Sequence, residues 1–421
     1  MKIDNKRIDK RKTWILGIIC SMVYAVSYLG RLNYSAALPY YLDENIITKT
    51  QGGLIATMFF FTYGIGQFAN GVIADHVNPE YQVIIGSLGS AIINFLMTAT
   101  RRFSLILIAW TFNGLFQSMI WAPLLLLLST SAHGEGRNGA LWLLNTSPAI
   151  GAVLSYAVSS VVLRKFHWTY LFQLAGISII TCICAFCFLY KIIDGGGTSK
   201  STLPIKYNNS IREQTKCNSK DTRYLIWGSG SAILVVPVMI HGMLKDGTTN
   251  WIPTLITEYF RTSRGSAVAL AIIPQLANLF AASLAFSLHK IISNEIREVV
   301  ILFTLSTASI LGLVLGGNYS VALSIICFAC VTLSMQAANV VFVSLIAEKF
   351  QSYGMMATVS GAFNSLAYIG AALSVYIVAL ISNYSWIFTL LFWLCSSGVA
   401  LMMCCIATSK WDNFFKNGCK G

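Results

Sequence analysis

A chain of 421 residues would ordinarily fold as two or three soluble domains. The composition excludes that, because 11% of residues are charged, against roughly 25% in soluble proteins, and 56% are aliphatic, aromatic or cysteine. The solvent is lipid, and the formal net charge of +13 reflects loops beside a membrane rather than nucleic-acid binding.

The first predicted helix, Trp14–Leu42, is apolar apart from Arg31. Its apolar run is too long for the core of a cleavable leader, so it is expected to stay in the membrane. Runs without Asp, Glu, Lys or Arg follow at Gln51–Ala74, Tyr81–Thr100, Phe103–Ala132, Asn138–Leu163 and Phe166–Tyr190. Each reaches the roughly 20 residues that a helix needs to cross the hydrocarbon core. Residues 191–223 are polar and basic, with three consecutive glycines at 195–197, and read as a cytoplasmic linker. Tyr224–Ile256 resumes the apolar pattern around Lys245 and Asp246, and Gly265–Leu288 follows. Val299–Ala347 and Phe350–Ser409 are each long enough for two helices. The expectation is an all-α integral membrane protein with twelve transmembrane helices in two pseudo-symmetric six-helix bundles, residues 1–190 and 224–421, joined by 191–223.

On that plan, segments on the side of the N-terminus hold 20 Lys and Arg, and the opposite loops hold 7. Positive charge collects in the cytoplasm, so both termini and the linker are expected there, in the cell membrane. The eleven cysteines lie mostly inside apolar runs and read as packing residues. The CxxC spacings at Cys184/Cys187 and Cys327/Cys330 have no neighbouring ligands to complete a metal set, so no metal or cofactor is expected.

The halves repeat each other. Gln117 and the stretch from Asn145 to Ala152 recur at one constant offset as Gln336 and Asn364 to Ala371. Arg31 precedes Pro39 by eight residues, as Lys245 precedes Pro253. A duplicated six-helix unit is the plan of transporters with a central site.

Only Arg31, Lys245 and Asp246 read as charges deep in the spans. A charge there costs several kcal/mol, roughly 2.5 to above 10, and so must face a cavity or a partner. An internal ion pair is one reading. The other is an anion site, because a single carboxylate cannot neutralise two cations, and adjacent helical positions point about 100° apart. Arg offers a bidentate fork to phosphate and Lys a mobile point charge. Tyr28 and Tyr24 share the helix face of Arg31 and could bind substrate oxygens or simply pack. His241, four residues before Lys245, could carry a proton or sit neutral and hydrogen-bonded. Gly71 and Asp75, in a GxxxD pattern, suit a gate at the end of the second helix. No GxSxG, HExxH or phosphate-binding loop marks an enzyme.

These residues resemble the major facilitator superfamily, and within it the organophosphate:phosphate antiporter family. The resemblance rests on Tyr28-Leu-Gly-Arg31-Leu-Asn33-Tyr-Ser-Ala-Ala-Leu-Pro39, on Gly71-Val-Ile-Ala-Asp75-His-Val-Asn78-Pro79, and on Lys245-Asp-Gly-Thr-Thr-Asn-Trp251-Ile-Pro253. It implies phosphate contact by Arg31, a second cation at Lys245, and site tyrosines at Tyr24, Tyr28, Tyr63 and Tyr368. Asn145 joins that list from the fifth helix. The chain departs from the family at Lys245, where an Arg is usual, and at Pro148, which takes the place of a histidine. Gln67 stands for a lysine, and Pro274-Gln275 stands where an acid is expected. The implied function is a monomeric secondary transporter of a small anionic, phosphorylated solute, with inorganic phosphate or a proton as coupling species and His241 or Asp246 as coupling group. The alternatives are a carboxylate or sugar-acid symporter driven by protons, and a non-transporting sensor of sugar phosphate.

Overall fold

The computed structural model describes residues 10–74, 77–131, 136–194, 228, 230–292, 294–316, 320–350 and 355–416. Asp75, linker residues 195–223 and the Gly317-Asn318 break lie outside them. Among the described residues there is no strand. The helices are α1 (Lys10–Ser27), α2 (Leu29–Asp43), α3 (Lys49–Ala74), α4 (Pro79–Ala99), α5 (Phe103–Ser118), α6 (Trp121–Ser131), α7 (Gly136–Lys165) and α8 (Thr169–Asp194). After them come α9 (Val235–Gly242), a π-helical stretch Met243–Gly247, and α10 (Thr248–Tyr259). The rest are α11 (Arg264–Leu270), α12 (Ile272–Asn278), α13 (Ala281–Ile292), α14 (Glu295–Gly316), α15 (Val321–Val340), α16 (Ala347–Lys349), α17 (Met356–Ile381) and α18 (Trp386–Lys416).

Ten helical stretches among the described residues are long and apolar enough to cross a membrane. The two other predicted spans coincide with α3 and with the interrupted α9–π–α10 stretch. Helix is the expected state, because a chain in lipid must satisfy its backbone N–H and C=O groups internally. Large apolar side chains point outward, with Ile92 58% and Phe188 66% exposed. Water would not tolerate a surface built this way, whereas lipid favours it. Of the cysteines, Cys20 and Cys404 are fully buried packing residues, while Cys184, Cys395 and Cys405 lie on exposed faces.

The chain divides into two compact units. The first holds residues 1–46 with 65–205, and the second 47–64 with 206–421. α3 is therefore shared, its first part packing within the second unit. There Gly53 lies against Val375 and Ala379, and the Thr57 hydroxyl donates to the Ala372 carbonyl at 3.0 Å. Within the first unit α1 runs along α7 and α4 along α8; within the second, α9 runs along α17, and α14 along α15 and α18. Small residues let these backbones approach, which is how helices associate where lipid removes most of the hydrophobic drive.

The sequence repeat at Asn145–Ala152 and Asn364–Ala371 has a packing cause. A side chain at Gly151 would strike the Ala25 backbone, and one at Gly370 would strike the Met239 backbone. Each glycine brings the fifth helix of its unit against the helix that carries the buried cation. A second repeated pairing escaped the sequence reading. Trp168 donates its indole N–H to Glu44 at 2.7 Å, and Trp386 donates to Glu258 at 2.9 Å, at the matching helix ends of each unit.

Candidate functional site: two buried cations on interrupted helices

In the first unit the cation-bearing span, Arg11–Asp43, tightens at Tyr28, the turn residue between α1 and α2, whose backbone stays right-handed helical. The Ser27 hydroxyl donates back to the Tyr24 carbonyl at 2.7 Å, a bond that competes with the regular helical ladder. The Arg31 amide then turns to the Tyr28 carbonyl at 3.1 Å, one residue short of the α-helical partner. Arg31 is 7% exposed, and its guanidinium carbon lies 5.4 Å from the centre of the Tyr28 ring. That is cation–π range, and it holds the planar fork at the tyrosine face. Tyr28 meets Tyr24 edge-on at 5.6 Å, and Tyr24 packs on Trp121 at 4.6 Å. The structure thus brings Arg31, Tyr28 and Tyr24 together, as their shared helix face predicts.

The tightened turn is held from below by buried amides. Gln117 donates to the Ser27 carbonyl at 3.0 Å and to the Ser90 hydroxyl at 2.8 Å. Ser90 donates to Asn113 at 2.7 Å, and Asn113 donates to the Gly30 carbonyl at 2.8 Å. Asn94 also reaches Gly30, at 3.4 Å, and accepts from Asn33 at 2.7 Å. Gly30 is needed here, since a Cβ would lie 2.8 Å from the Asn94 amide nitrogen and from Ile179.

In the second unit Lys245 sits inside the π-helical stretch and is 9% exposed. Such π-bulges are rare and frequently mark functional sites. Its amine is 3.2 Å from Asp246 and 5.7 Å from the centre of the Tyr368 ring. Tyr368 meets Tyr63 edge-on at 4.7 Å, and Tyr63 stacks on Phe59. Lys245, Asp246, Tyr368 and Tyr63 therefore form one cluster. The sequence argument against a Lys245–Asp246 pair fails, because the 100° separation constrains Cβ directions, not an amine on a flexible four-carbon stem. The two charges are close but not aligned as a hydrogen bond.

Other predicted residues stand apart from these clusters. Asn145 is exposed and bonds back to the Leu141 carbonyl at 2.8 Å. His241 is 0% exposed, with Nδ1 3.2 Å from the Val238 carbonyl, its ring beside Phe342, and Nε2 without a partner among the described residues. Gly71 lies in the last turn of α3.

Two acids outside the predicted spans are also buried. Glu295 is 2% and Glu298 0% exposed, in the first turn of α14. Glu295 meets Lys349 at 3.1 Å and accepts from Trp411 at 3.1 Å, while Glu298 meets His289 at 2.6 Å. Their position at the edge of an apolar run hid them. Burial of a helix end depends on neighbouring helices, and the run itself does not report it. The amide network was hidden for a similar reason, since Ser90, Asn94, Asn113 and Gln117 are uncharged residues scattered over two apolar spans.

Comparison with known proteins agrees with this architecture. The Membrane sensor protein UhpC of Salmonella typhimurium is 29% identical over 181 residues, 42% of this chain and 41% of the relative. A Chlamydia trachomatis protein named "Probable hexose phosphate transport protein" is 30% identical over 186 residues, 44% of this chain and 40% of the relative. The alignments thus span about two-fifths of these relatives. The solved structure of the nucleoside transporter NupG shares the fold, with a TM-score of 0.70 at 11% identity, covering 94% of this chain and 100% of that one. Residues 20–375 match the model of the Major Facilitator Superfamily, and the chain belongs to that superfamily.

Proposed function

We propose that this protein is a secondary transporter that moves a small anionic, phosphorylated solute across the cell membrane by alternating access. The observation that carries the reading is the recurrence of one arrangement, a buried cation beside a tyrosine ring at an interruption of its helix, at Arg31 and again at Lys245. A membrane helix has no structural need for such charges, and burying each is costly. Discontinuous helices whose irregular backbone lines a site are the usual way for transporters to hold ions and substrates. The hexose-phosphate name of the Chlamydia relative supports a phosphorylated solute.

In this reading Arg31 grips the phosphate through its fork, Lys245 supplies a second charge relieved by Asp246 when the site is empty, and Tyr24, Tyr28, Tyr63 and Tyr368 bind substrate oxygens. Asn145 contributes from α7, and Gly71 with Asp75 serves the gate. The protein acts as a monomer, catalyses no covalent step, and exchanges its solute for inorganic phosphate, or couples to a proton through Asp246 or His241. Both termini and the linker face the cytoplasm, and the six-helix halves are residues 1–190 and 224–421.

The test is counterflow in proteoliposomes loaded with inorganic phosphate and offered a panel of sugar phosphates, glycerol phosphate, sugar acids and neutral sugars. Accumulation of phosphorylated members alone is the expected result. Uptake driven by a pH gradient and indifferent to internal phosphate would replace it with acid symport. A second reading, a membrane sensor of sugar phosphate, is supported by the UhpC relative. Saturable sugar-phosphate binding without flux would establish that reading instead.

A further inference from the structure

In the first unit, five uncharged polar side chains are buried to 2% exposure or less: Asn33, Ser90, Asn94, Asn113 and Gln117. They come from α2, α4 and α5. Burying this many amides and hydroxyls is costly unless each finds partners. Here they find one another and three backbone carbonyls, Ser27, Gly30 and Ser90, with only the Asn33 Oδ1 left without a partner among them. The Ser27 and Gly30 carbonyls lie on either side of Tyr28, where the amides of Tyr28 and Arg31 bond three residues back instead of four. The Ser27 carbonyl is the one whose helical donor, the Arg31 amide, has turned away to Tyr28. Gln117 supplies the missing donor at 3.0 Å, and Asn113 holds the next turn at 2.8 Å.

A network serving only to pack the repeated unit should recur in the second one. Among the described residues it does not. Gln336 repeats Gln117 but is only half-buried, and Thr332, at the repeat position of Asn113, bonds through its hydroxyl to Ala329 on its own helix. Near Lys245, the buried hydroxyls of Thr248 and Ser374 have no partner among the described residues. Among the described residues the hydrogen-bonded amide scaffold belongs to the Arg31 side alone.

We propose that Gln117, with Asn113 and Ser90, is a positioning residue that fixes the tightened turn at Tyr28 and so aims the Arg31 guanidinium for two-point binding of a phosphate group. This rests on the reading of Arg31 as an anion-binding residue. A bidentate contact depends on the orientation of the fork, whereas a point-charge contact made by Lys tolerates misplacement. The inference follows that the network matters only while residue 31 is Arg.

A double-mutant cycle on the purified full-length protein tests this, with inorganic phosphate as probe and the phosphate-dependent rise in Tm as readout, which registers weak binding. Gln117→Met, close in shape but without donors, is expected to weaken phosphate affinity about tenfold in the natural background and less than about twofold in the Arg31→Lys background. Ser90→Ala, a smaller change that keeps the fold, is expected to show the same background dependence with about a threefold loss. Equal losses in both backgrounds would overturn the proposal, since Gln117 and Ser90 would then act on the fold alone and Arg31 would keep its anion role. Unchanged phosphate affinity in Arg31→Lys by itself would instead remove Arg31 from anion binding and take this inference with it.

Discussion

The two buried cations occupy matching places in the repeat, yet their helices are interrupted by different physics. At Arg31 the helix tightens at Tyr28 without leaving its helical course, and buried amides from α5 take up the Ser27 and Gly30 carbonyls. At Lys245 the helix continues but widens into a π-turn, with the Lys245 carbonyl accepting from Thr249 at 2.7 Å. Arg31 rests on a tyrosine of its own helix, one turn earlier. Lys245 rests on Tyr368 of α17, and carries its counter-charge in the next residue. The first site is built to hold a planar group in one orientation. The second holds a flexible amine whose charge is already partly answered, which suits a group that shifts between partners. The difference matches the chemistry of the two side chains, since a fork rewards fixed geometry and an ammonium does not require it.

The sharpest way to break this comparison is at the fixed side. Arg31→Lys keeps the charge and loses the fork, and transport is expected to fall roughly 100-fold or more in kcat/KM. Proteoliposome flux measures it, with monodisperse elution on size exclusion as the control for folding. Near-natural flux would show that orientation at this site is irrelevant.

The flexible side should be more forgiving. Lys245→Arg is expected to stay within about fivefold of natural flux, because charge rather than geometry is at stake. Lys245→Ala should lose roughly tenfold or more, since it removes the cation and leaves the half-buried Asp246 without its partner. Equal flux in the two variants would show that the second cation has no part in transport.

What the units share can be tested apart from what divides them. Gly151→Val and Gly370→Val each push a side chain into the backbone of the cation-bearing helix, so both should destabilise by about 1–3 kcal/mol through overpacking. Melting temperature read without ligand is the measurement. A loss at one glycine only would mean that the repeated approach of α7 and α17 is not equivalent in the two units.

The smallest effect is expected at His241. It is fully buried against Phe342 with Nδ1 facing the Val238 carbonyl, a setting that suits a packing residue. His241→Gln should leave anion exchange within about twofold from about pH 5.5 to about pH 8, since a packing residue takes no part in the exchange. Net uptake measured over the same range separates coupling from packing. A changed pH profile for net uptake alone would make His241 the proton carrier, and loss of both modes would mark it as structural.

How much of this was legible in the sequence follows from what lipid permits. The charge-free runs announced helices because a bilayer excludes unpaired backbone, so length and composition suffice without any knowledge of neighbours. Arg31 and Lys245 stood out because a cation in such a run is rare and costly. The internal repeat was visible as well, although its reason, the close approach of Gly151 and Gly370 to Ala25 and Met239, required coordinates.

Only the tertiary structure decided how each cation is held. Ser90, Asn94, Asn113 and Gln117 lie on two helices and acquire meaning only when both converge on the same two carbonyls. The same holds for Trp168 on Glu44, Trp386 on Glu258, and the burial of Glu295 and Glu298. Hydrophobic patterning is a property of one segment and its solvent, so the sequence determined which segments enter the membrane and which charges are exceptional. Hydrogen bonds between helices depend on which faces meet at what depth, and no single segment carries that information. The tightened turn at Tyr28, the π-turn at Lys245 and the joining of residues 47–64 to the second unit were therefore settled by packing.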